Sequence, residues 1–146
     1  MTTIIYDHKN KQIACDSRAT AGSTIVSDSV IKFHERAGYI WFMCGCSGSV
    51  ETFITKFEAL KDCAPNIDTS GLFVFGKLAY SATIDDDIFR EDLLEYSFSV
   101  GSGSEYALAA LDHGKTAKEA VEYAMTRDIY TGGKVNVYDI EKGEFI

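Results

Sequence analysis

The chain has few of the residues that mark a metal-binding or disulfide-rich protein. Among its 146 residues are four cysteines, three scattered histidines and one proline. The closest cysteines, Cys44 and Cys46, are separated by one residue, whereas zinc and redox motifs usually separate theirs by two. We therefore expect reduced thiols, no metal site and no cofactor.

The sequence also lacks a cluster of basic residues and a long apolar segment. Its formal net charge is -8, so it offers no cationic surface to a nucleic acid. No apolar stretch has the length of a transmembrane helix, and the first residues lack the basic and apolar regions of a signal peptide. These absences predict a cytoplasmic protein with no nucleic-acid partner and no membrane partner.

The residues that are present predict one layered α+β domain over residues 1–146. Apolar residues make up 46% and charged residues 25%, as in ordinary globular domains. Alternating β-branched and apolar residues predict strands at Thr2–Tyr6, Gln12–Asp16, Val30–His34, Tyr39–Cys44, Leu72–Phe75, Leu78–Ile84, Tyr96–Val100, Lys134–Ile140 and Glu144–Ile146. Helical spacing predicts helices at Gly48–Asp62, Ser104–Asp112 and Thr116–Asp128, the last with a capping box. This order favours antiparallel sheets packed face to face and covered by helices.

Several segments of the chain, in their order, resemble those of proteasome β subunits. They are Asp16–Gly22 followed by Lys32, Gly45–Ser49, Val100–Ser104, and Arg127–Gly133. The bacterial proteasome-like protease that works with an ATP-driven unfoldase is similar. The resemblance implies the four-layer α/β/β/α sandwich of the N-terminal-nucleophile hydrolases and a threonine-type endopeptidase.

The resemblance makes Thr2 the expected nucleophile. A threonine hydroxyl needs a base beside it. If Met1 is removed, as methionine aminopeptidases do before small residues, the free α-amine of Thr2 lies on the same residue. Such an amine has an ordinary pKa of about 7.7–8.0, which suits it to accept a proton near neutral pH. Many proteins begin with Met-Thr, so the expectation depends on the other motifs.

The resemblance also implies two groups of residues around Thr2. Lys32 lies beside the hydroxyl and pairs with Asp16, although an ordinary salt bridge at a strand end is the common alternative. Ser102, Asp128 and Thr131 hold the α-amine, with Thr131 where the family usually has serine. Asp128 alone could be a residue at the C-terminus of a helix, where an acid opposes the helix dipole.

Further residues are implied for binding the substrate. The backbone N–H of Gly48, at the start of a helix, is expected to bind the oxyanion. The alternative is that Gly48 is an ordinary glycine at the start of a helix, with no catalytic role. Thr20, Ala21 and Gly22 resemble the edge that pairs with an extended peptide. The pocket for the side chain preceding the cut is expected to be of medium size and apolar, with His34 at its wall, and is formed by Ala19, Val30, Cys46 and Val50.

The chain departs from the family in its length. Family members usually have two helices between the positions of Gly48 and Gly101, where this sequence predicts one. Its compactness resembles members encoded by bacteriophages. The resemblance to the family implies a homo-oligomeric ring that acts on peptides or unfolded proteins. It also implies an ATP-driven unfoldase as a further partner. An amidase acting on a small substrate, or a non-catalytic assembly or scaffold protein with the same fold, are the alternatives.

Overall fold

The computed structural model describes residues 1–59, 68–86 and 88–146 of the chain. In these ranges the strands are β1 (Thr3–Asp7), β2 (Gln12–Cys15), β3 (Ala19–Ala21), β4 (Thr24–Ser27), β5 (Phe33–Arg36), β6 (Tyr39–Gly45), β7 (Thr69–Phe75), β8 (Leu78–Asp85), β9 (Ile88–Leu93), β10 (Phe98–Gly101), β11 (Asn136–Asp139) and β12 (Glu144–Phe145). The helices are α1 (Ser47–Glu58), α2 (Ser104–Asp112) and α3 (Ala117–Met125).

Two antiparallel five-stranded sheets form the centre of the molecule. The first has the order β10-β1-β2-β11-β12, and the second has the order β5-β6-β7-β8-β9. In the first sheet Ile4 lies opposite Val100 on one side and Cys15 on the other. The start of β1 therefore lies between the end of β2 and the Gly-Ser-Gly turn that follows β10.

The two sheets pack face to face with helices on both outer faces. Successive residues of a strand point to opposite faces, so Ile4 and Tyr6 pack between the sheets with Phe42 of β6. Ile5 points the other way and packs against α2 and α3, whereas Trp41 packs against α1 on the far side of the second sheet. This arrangement confirms the predicted α+β fold with four layers, α/β/β/α.

Most predicted elements are present, with shifts at their ends. Helix α2 has the predicted bounds, and Thr116 caps α3 through the predicted capping box with Glu119. Helix α1 begins one residue before the prediction and ends at Glu58. The rest of its predicted length falls largely on residues 60–62, which lie outside the described residues, as do Cys63 and the proline.

Two parts of the sheet structure were not predicted. The sequence predicted no strands between Asp16 and Val30, but residues 19–27 form β3, a turn and β4, with Gly22 at a φ of +60°. Strand β9 was missed because it is an edge strand of mainly exposed residues, including Arg90, Glu91 and Asp92. An exposed edge needs no apolar alternation, so the pattern that reveals buried strands is absent there.

The predicted strand Val30–His34 begins later than expected. Strand β5 starts at Phe33, and residues 30–32 line a cavity together with Met1 and Thr2. The carbonyl of Lys32 still accepts a hydrogen bond from the N–H of Met43 on β6, at 3.1 Å. The backbone of Lys32 is thus fixed while its side chain turns towards Thr2.

None of the helices in the described ranges is both long enough and apolar enough to cross a bilayer.

Candidate active site

Thr2 lies at the wall of a cavity of about 320 Å³ that opens beside the N-terminus of the chain. It precedes β1 and is only 4% exposed. The cavity also contains Lys32, and its other lining residues include five that the sequence predicted for substrate binding or for a pocket wall: Ala19, Val30, His34, Cys46 and Val50. Thr20 lines the cavity too, whereas Ala21 at the end of β3 and Gly22 in the turn do not.

The structure brings Asp16 and Lys32 together next to the peptide bond between Met1 and Thr2. The Lys32 ammonium donates to Asp16 Oδ1 at 2.9 Å and to the carbonyl oxygen of Met1 at 3.0 Å. Asp16 is fully buried and Lys32 is 6% exposed. The pair therefore lies inside the protein at the threonine.

A buried ion pair is tolerated only when further hydrogen bonds compensate for lost hydration. Asp16 has such bonds on both carboxylate oxygens. Oδ1 accepts the N–H of Thr3 at 3.0 Å, and Oδ2 accepts the N–H groups of Gly132 at 3.0 Å and Arg18 at 3.2 Å. Asp16 thus joins the start of β1, the end of β2 and the loop at Gly132 around one carboxylate.

Ser102, Asp128 and Thr131 form a second hydrogen-bonded group. Asp128 Oδ2 accepts the hydroxyls of Ser102 and Thr131, each at 2.6 Å. Asp128 lies three residues beyond the end of α3, and its other oxygen accepts the N–H of Tyr130 at 3.1 Å. The residue therefore orders the loop after the helix and is not part of the helix.

Thr3 belongs to this second group, and sequence reasoning missed it. Its Oγ1 lies 2.6 Å from Oγ1 of Thr131, and both residues are at most 1% exposed. A hydroxyl has one hydrogen, and that of Thr131 points to Asp128, so Thr3 is the donor in this contact. Strand alternation was the available signal: a chain that turns Thr2 towards the cavity turns Thr3 to the opposite side.

The Gly-Ser-Gly turn needs both of its glycines because atoms of Thr2 and Thr3 lie directly against them. Gly101 has a φ of +100°, and a Cβ there would overlap the carbonyl oxygen of Thr2. A Cβ at Gly103 would overlap Thr3 Oγ1. The turn can therefore place Ser102 beside Asp128 only because both neighbours lack side chains.

Gly48 lies in the first turn of α1, one residue after the cavity-lining Ser47. The N–H of Cys46, the residue before α1, donates to the carbonyl of Asp68 at 2.7 Å and is already used. The N–H of Ser49 donates to the carbonyl of Cys46 at 3.0 Å, so the N–H groups of Ser47 and Gly48 are the ones at the start of α1 that can face a ligand. The assignment of Gly48 as the oxyanion donor remains a prediction.

Burial favours the neutral forms of three groups near the site, the thiols of Cys15 and Cys44 and the imidazole of His34. Burial raises the pKa of Cys15 to about 12, and burial also raises the pKa of Cys44. Burial lowers the pKa of His34. A thiol nucleophile needs its thiolate, so Cys15 and Cys44 are poor candidates for catalysis. In the described ranges no three His, Cys, Asp or Glu side chains converge to hold a metal ion.

Comparison with curated proteins finds proteasome β subunits. A probable proteasome subunit beta type-5 of Schizosaccharomyces pombe is 27% identical over 188 aligned positions, covering 99% of this chain and 68% of that protein. Proteasome subunit beta type-5 of Dictyostelium discoideum is 41% identical over 56 residues, and beta type-8 of Rattus norvegicus is 37% identical over 74. These two alignments span only 21% and 26% of the relatives' lengths. No family model matches the chain.

Comparison with solved structures finds the same kind of protein. Eukaryotic HslV from Trypanosoma brucei superposes with a TM-score of 0.74 at 17% identity, over 93% of this chain and 97% of that one. Thiobacillus denitrificans BPH in complex with epoxomicin gives a TM-score of 0.69 at 16% identity, over 94% and 97%. At these identities the superpositions establish the fold.

Proposed function

We propose that this chain, a member of the proteasome β-subunit-like family, is a threonine-type endopeptidase whose nucleophile is the hydroxyl of Thr2. The observation that carries the proposal is the buried Lys32–Asp16 pair at the Met1–Thr2 peptide. Burying two charges beside an N-terminal threonine adds little to stability by itself. The buried pair suits a catalytic site, because the ammonium of Lys32 can stabilise negative charge that develops on an oxygen.

The reaction begins once Met1 is absent. The free α-amine of Thr2 takes the proton of its own hydroxyl, and Oγ1 attacks the scissile carbonyl. The Lys32 ammonium stabilises the developing negative charge on oxygen, and the N–H groups that begin α1, with Gly48 foremost, receive the oxyanion. The proton then passes to the leaving amine, and water hydrolyses the ester to regenerate Thr2.

The second hydrogen-bonded group keeps the base in position. Ser102 and Thr131 both donate to Asp128. Thr131 also accepts from Thr3, so the α-ammonium can donate to the oxygen of Ser102 and to the remaining lone pair of Thr131. Thr131 replaces the usual serine and keeps the hydroxyl. Its methyl group is accommodated, since its Oγ1 reaches both Asp128 and Thr3 at 2.6 Å.

We expect an extended peptide to pair with the edge at Thr20, Ala21 and Gly22. The side chain preceding the cut would enter the cavity beside Ala19, Val30, Cys46 and Val50, which suits a medium-sized apolar group. Unfolded proteins can pair with this edge because their backbones are free to extend. We expect assembly into a homo-oligomeric ring, which the fold shared with HslV supports. An ATP-driven unfoldase as a further partner is an expectation from the resemblance alone.

One experiment separates the proposed peptidase from its rivals. The Met1-free protein is fractionated by size with light scattering, and every fraction is assayed with fluorogenic peptides and with small amides. We expect peptide cleavage in a particle several times larger than the 16.1 kDa chain. Turnover of small amides alone by a monomer would indicate an amidase, and no turnover in any fraction would indicate a scaffold protein.

Replacing Lys32 by alanine should lower turnover per folded molecule by about a hundredfold or more. The change removes the cation beside Thr2 and leaves Asp16 buried without its partner, so stability should also fall. Folded protein is therefore quantified by circular dichroism before kcat is calculated. Lys77→Ala is the control, because Lys77 is exposed and makes only a 3.6 Å ion pair with Glu141. Lower stability with unchanged kcat would support the ordinary salt bridge.

Thr3→Val should lower kcat about tenfold with little change in KM. Valine keeps the shape of threonine but leaves Thr131 without its donor, so the hydroxyls around Asp128 lose their fixed orientation. Thr3→Ser should restore most of the rate because it restores the hydroxyl. Equal kcat in the wild type and in Thr3→Val would remove Thr3 from the account.

A further inference from the structure

The hairpin formed by β3 and β4 is attached to the molecule mainly at its base. In the described chain it pairs with neither five-stranded sheet. Most of its residues are exposed, among them Ile25 at 52% and Val26 at 65%. A two-stranded ribbon of this kind is marginally stable by itself. The place that it takes beside the cavity must therefore be fixed by the residues where it begins and ends.

The base of the hairpin is closed by Arg18 and Asp28. Arg18 directly precedes β3, and Asp28 directly follows β4. The guanidinium binds the carboxylate with two parallel hydrogen bonds, Nε to Oδ1 at 2.7 Å and Nη2 to Oδ2 at 3.0 Å. A backbone hydrogen bond from Val30 N–H to the carbonyl of Ser17, at 2.9 Å, lies next to it. A paired fork of this kind fixes orientation as well as distance.

The same guanidinium also contacts the loop that follows Asp128. Nη1 of Arg18 donates to the carbonyl of Ile129 at 3.0 Å. Gly132 lies against the guanidinium so closely that a Cβ there would overlap it. A Cβ at Gly133 would overlap the carbonyl of Asp28. Both ends of the hairpin thus pack directly on the loop that contains Thr131.

We propose that Arg18 and Asp28 form a positioning clamp that holds the peptide-pairing hairpin in register with the loop carrying Thr131. The clamp rests on the proposed function, because the hairpin supplies the substrate edge at Thr20 and the loop holds the amine of Thr2. The carboxylate of Asp28 binds the guanidinium of Arg18, whereas that guanidinium binds both the hairpin and the loop.

Stability alone is a poor explanation for this pair. The side chains of Arg18 and Asp28 are 19% and 44% exposed, and exposed ion pairs add little to the free energy of folding. Their geometry places them where the chain enters and leaves the hairpin. A loss of the pair should therefore change the hairpin more than the global stability.

The test compares Asp28→Asn and Arg18→Gln with the wild type. Asp85→Asn is the matched control, because Asp85 forms an exposed 3.0 Å pair with Arg90 on the β8–β9 hairpin. Hydrogen exchange of residues 19–27 is followed by mass spectrometry, and kcat and KM are measured on the same Met1-free samples. The exchange measurement needs no catalytic activity.

We expect Asp28→Asn to speed exchange in the hairpin about tenfold and to raise KM about three- to tenfold, with kcat nearly unchanged. Arg18→Gln should do the same and also lower kcat, whereas the control should match the wild type. Unchanged exchange in Asp28→Asn would overturn the clamp, and so would faster exchange with an unchanged KM. A wild type that cleaves no peptide would refute the proposed function instead, and exchange would then decide the clamp alone.

Discussion

Replacing Thr2 by alanine should abolish peptide turnover and leave the fold unchanged. The substitution removes only the hydroxyl that attacks the substrate, and we expect a loss of about 10⁴-fold or more. The surrounding network does not depend on that side chain. Lys32 binds Asp16, and Asp16 binds the backbone N–H groups of Thr3 and Gly132.

Two variants control this prediction. Thr2→Ser keeps a hydroxyl and an α-amine on the same residue, so part of the activity should remain. Thr52→Ala removes a threonine hydroxyl from an exposed position of α1 and should leave turnover unchanged. Thermal unfolding and particle size are measured for all variants. Cleavage at the wild-type rate by Thr2→Ala would exclude Thr2 as the nucleophile.

Protein that retains Met1 should be inactive in spite of its correct fold. The nitrogen of Thr2 is then a peptide amide, which has no basic lone pair and cannot accept the proton of the hydroxyl. The carbonyl oxygen of Met1 also accepts a hydrogen bond from the ammonium of Lys32, at 3.0 Å, and Met1 lines the cavity that the substrate must enter. Removal of Met1 ends both effects, so we expect the Met1-free protein to turn over peptide at least about 10³-fold faster than the Met1-bearing protein.

The sequence predicted the layers of the fold because burial leaves a periodic signal. Ile4, Ile5 and Tyr6 are all apolar since their strand is covered on both faces. The segment Val50–Phe57 repeats at helical spacing because one face of α1 packs on the second sheet. Strand β9 and the β3–β4 hairpin leave no such signal, as most of their side chains meet water.

The candidate site was predictable where it depends on residue types within short motifs. Asp16 with Lys32, and Ser102 with Asp128 and Thr131, are each brought within hydrogen-bonding distance. Thr3 and Arg18 were missed because their roles depend on contacts with residues more than a hundred positions away, at Thr131 and Ile129. Strand alternation indicates the side of β1 on which Thr3 lies, but the partners of Thr3 and Arg18 are set by the packing of a distant loop, which no local pattern encodes.

The most direct test of the central claim measures processing and turnover on the same samples. Preparations with different fractions of Met1-free chain are analysed by intact-mass spectrometry and then assayed with a fluorogenic peptide. If the hydroxyl and the α-amine of Thr2 act together, the rate should rise in proportion to the Met1-free fraction and extrapolate to zero for the fully Met1-bearing protein. Equal turnover in the fully Met1-bearing and fully Met1-free proteins would contradict the mechanism.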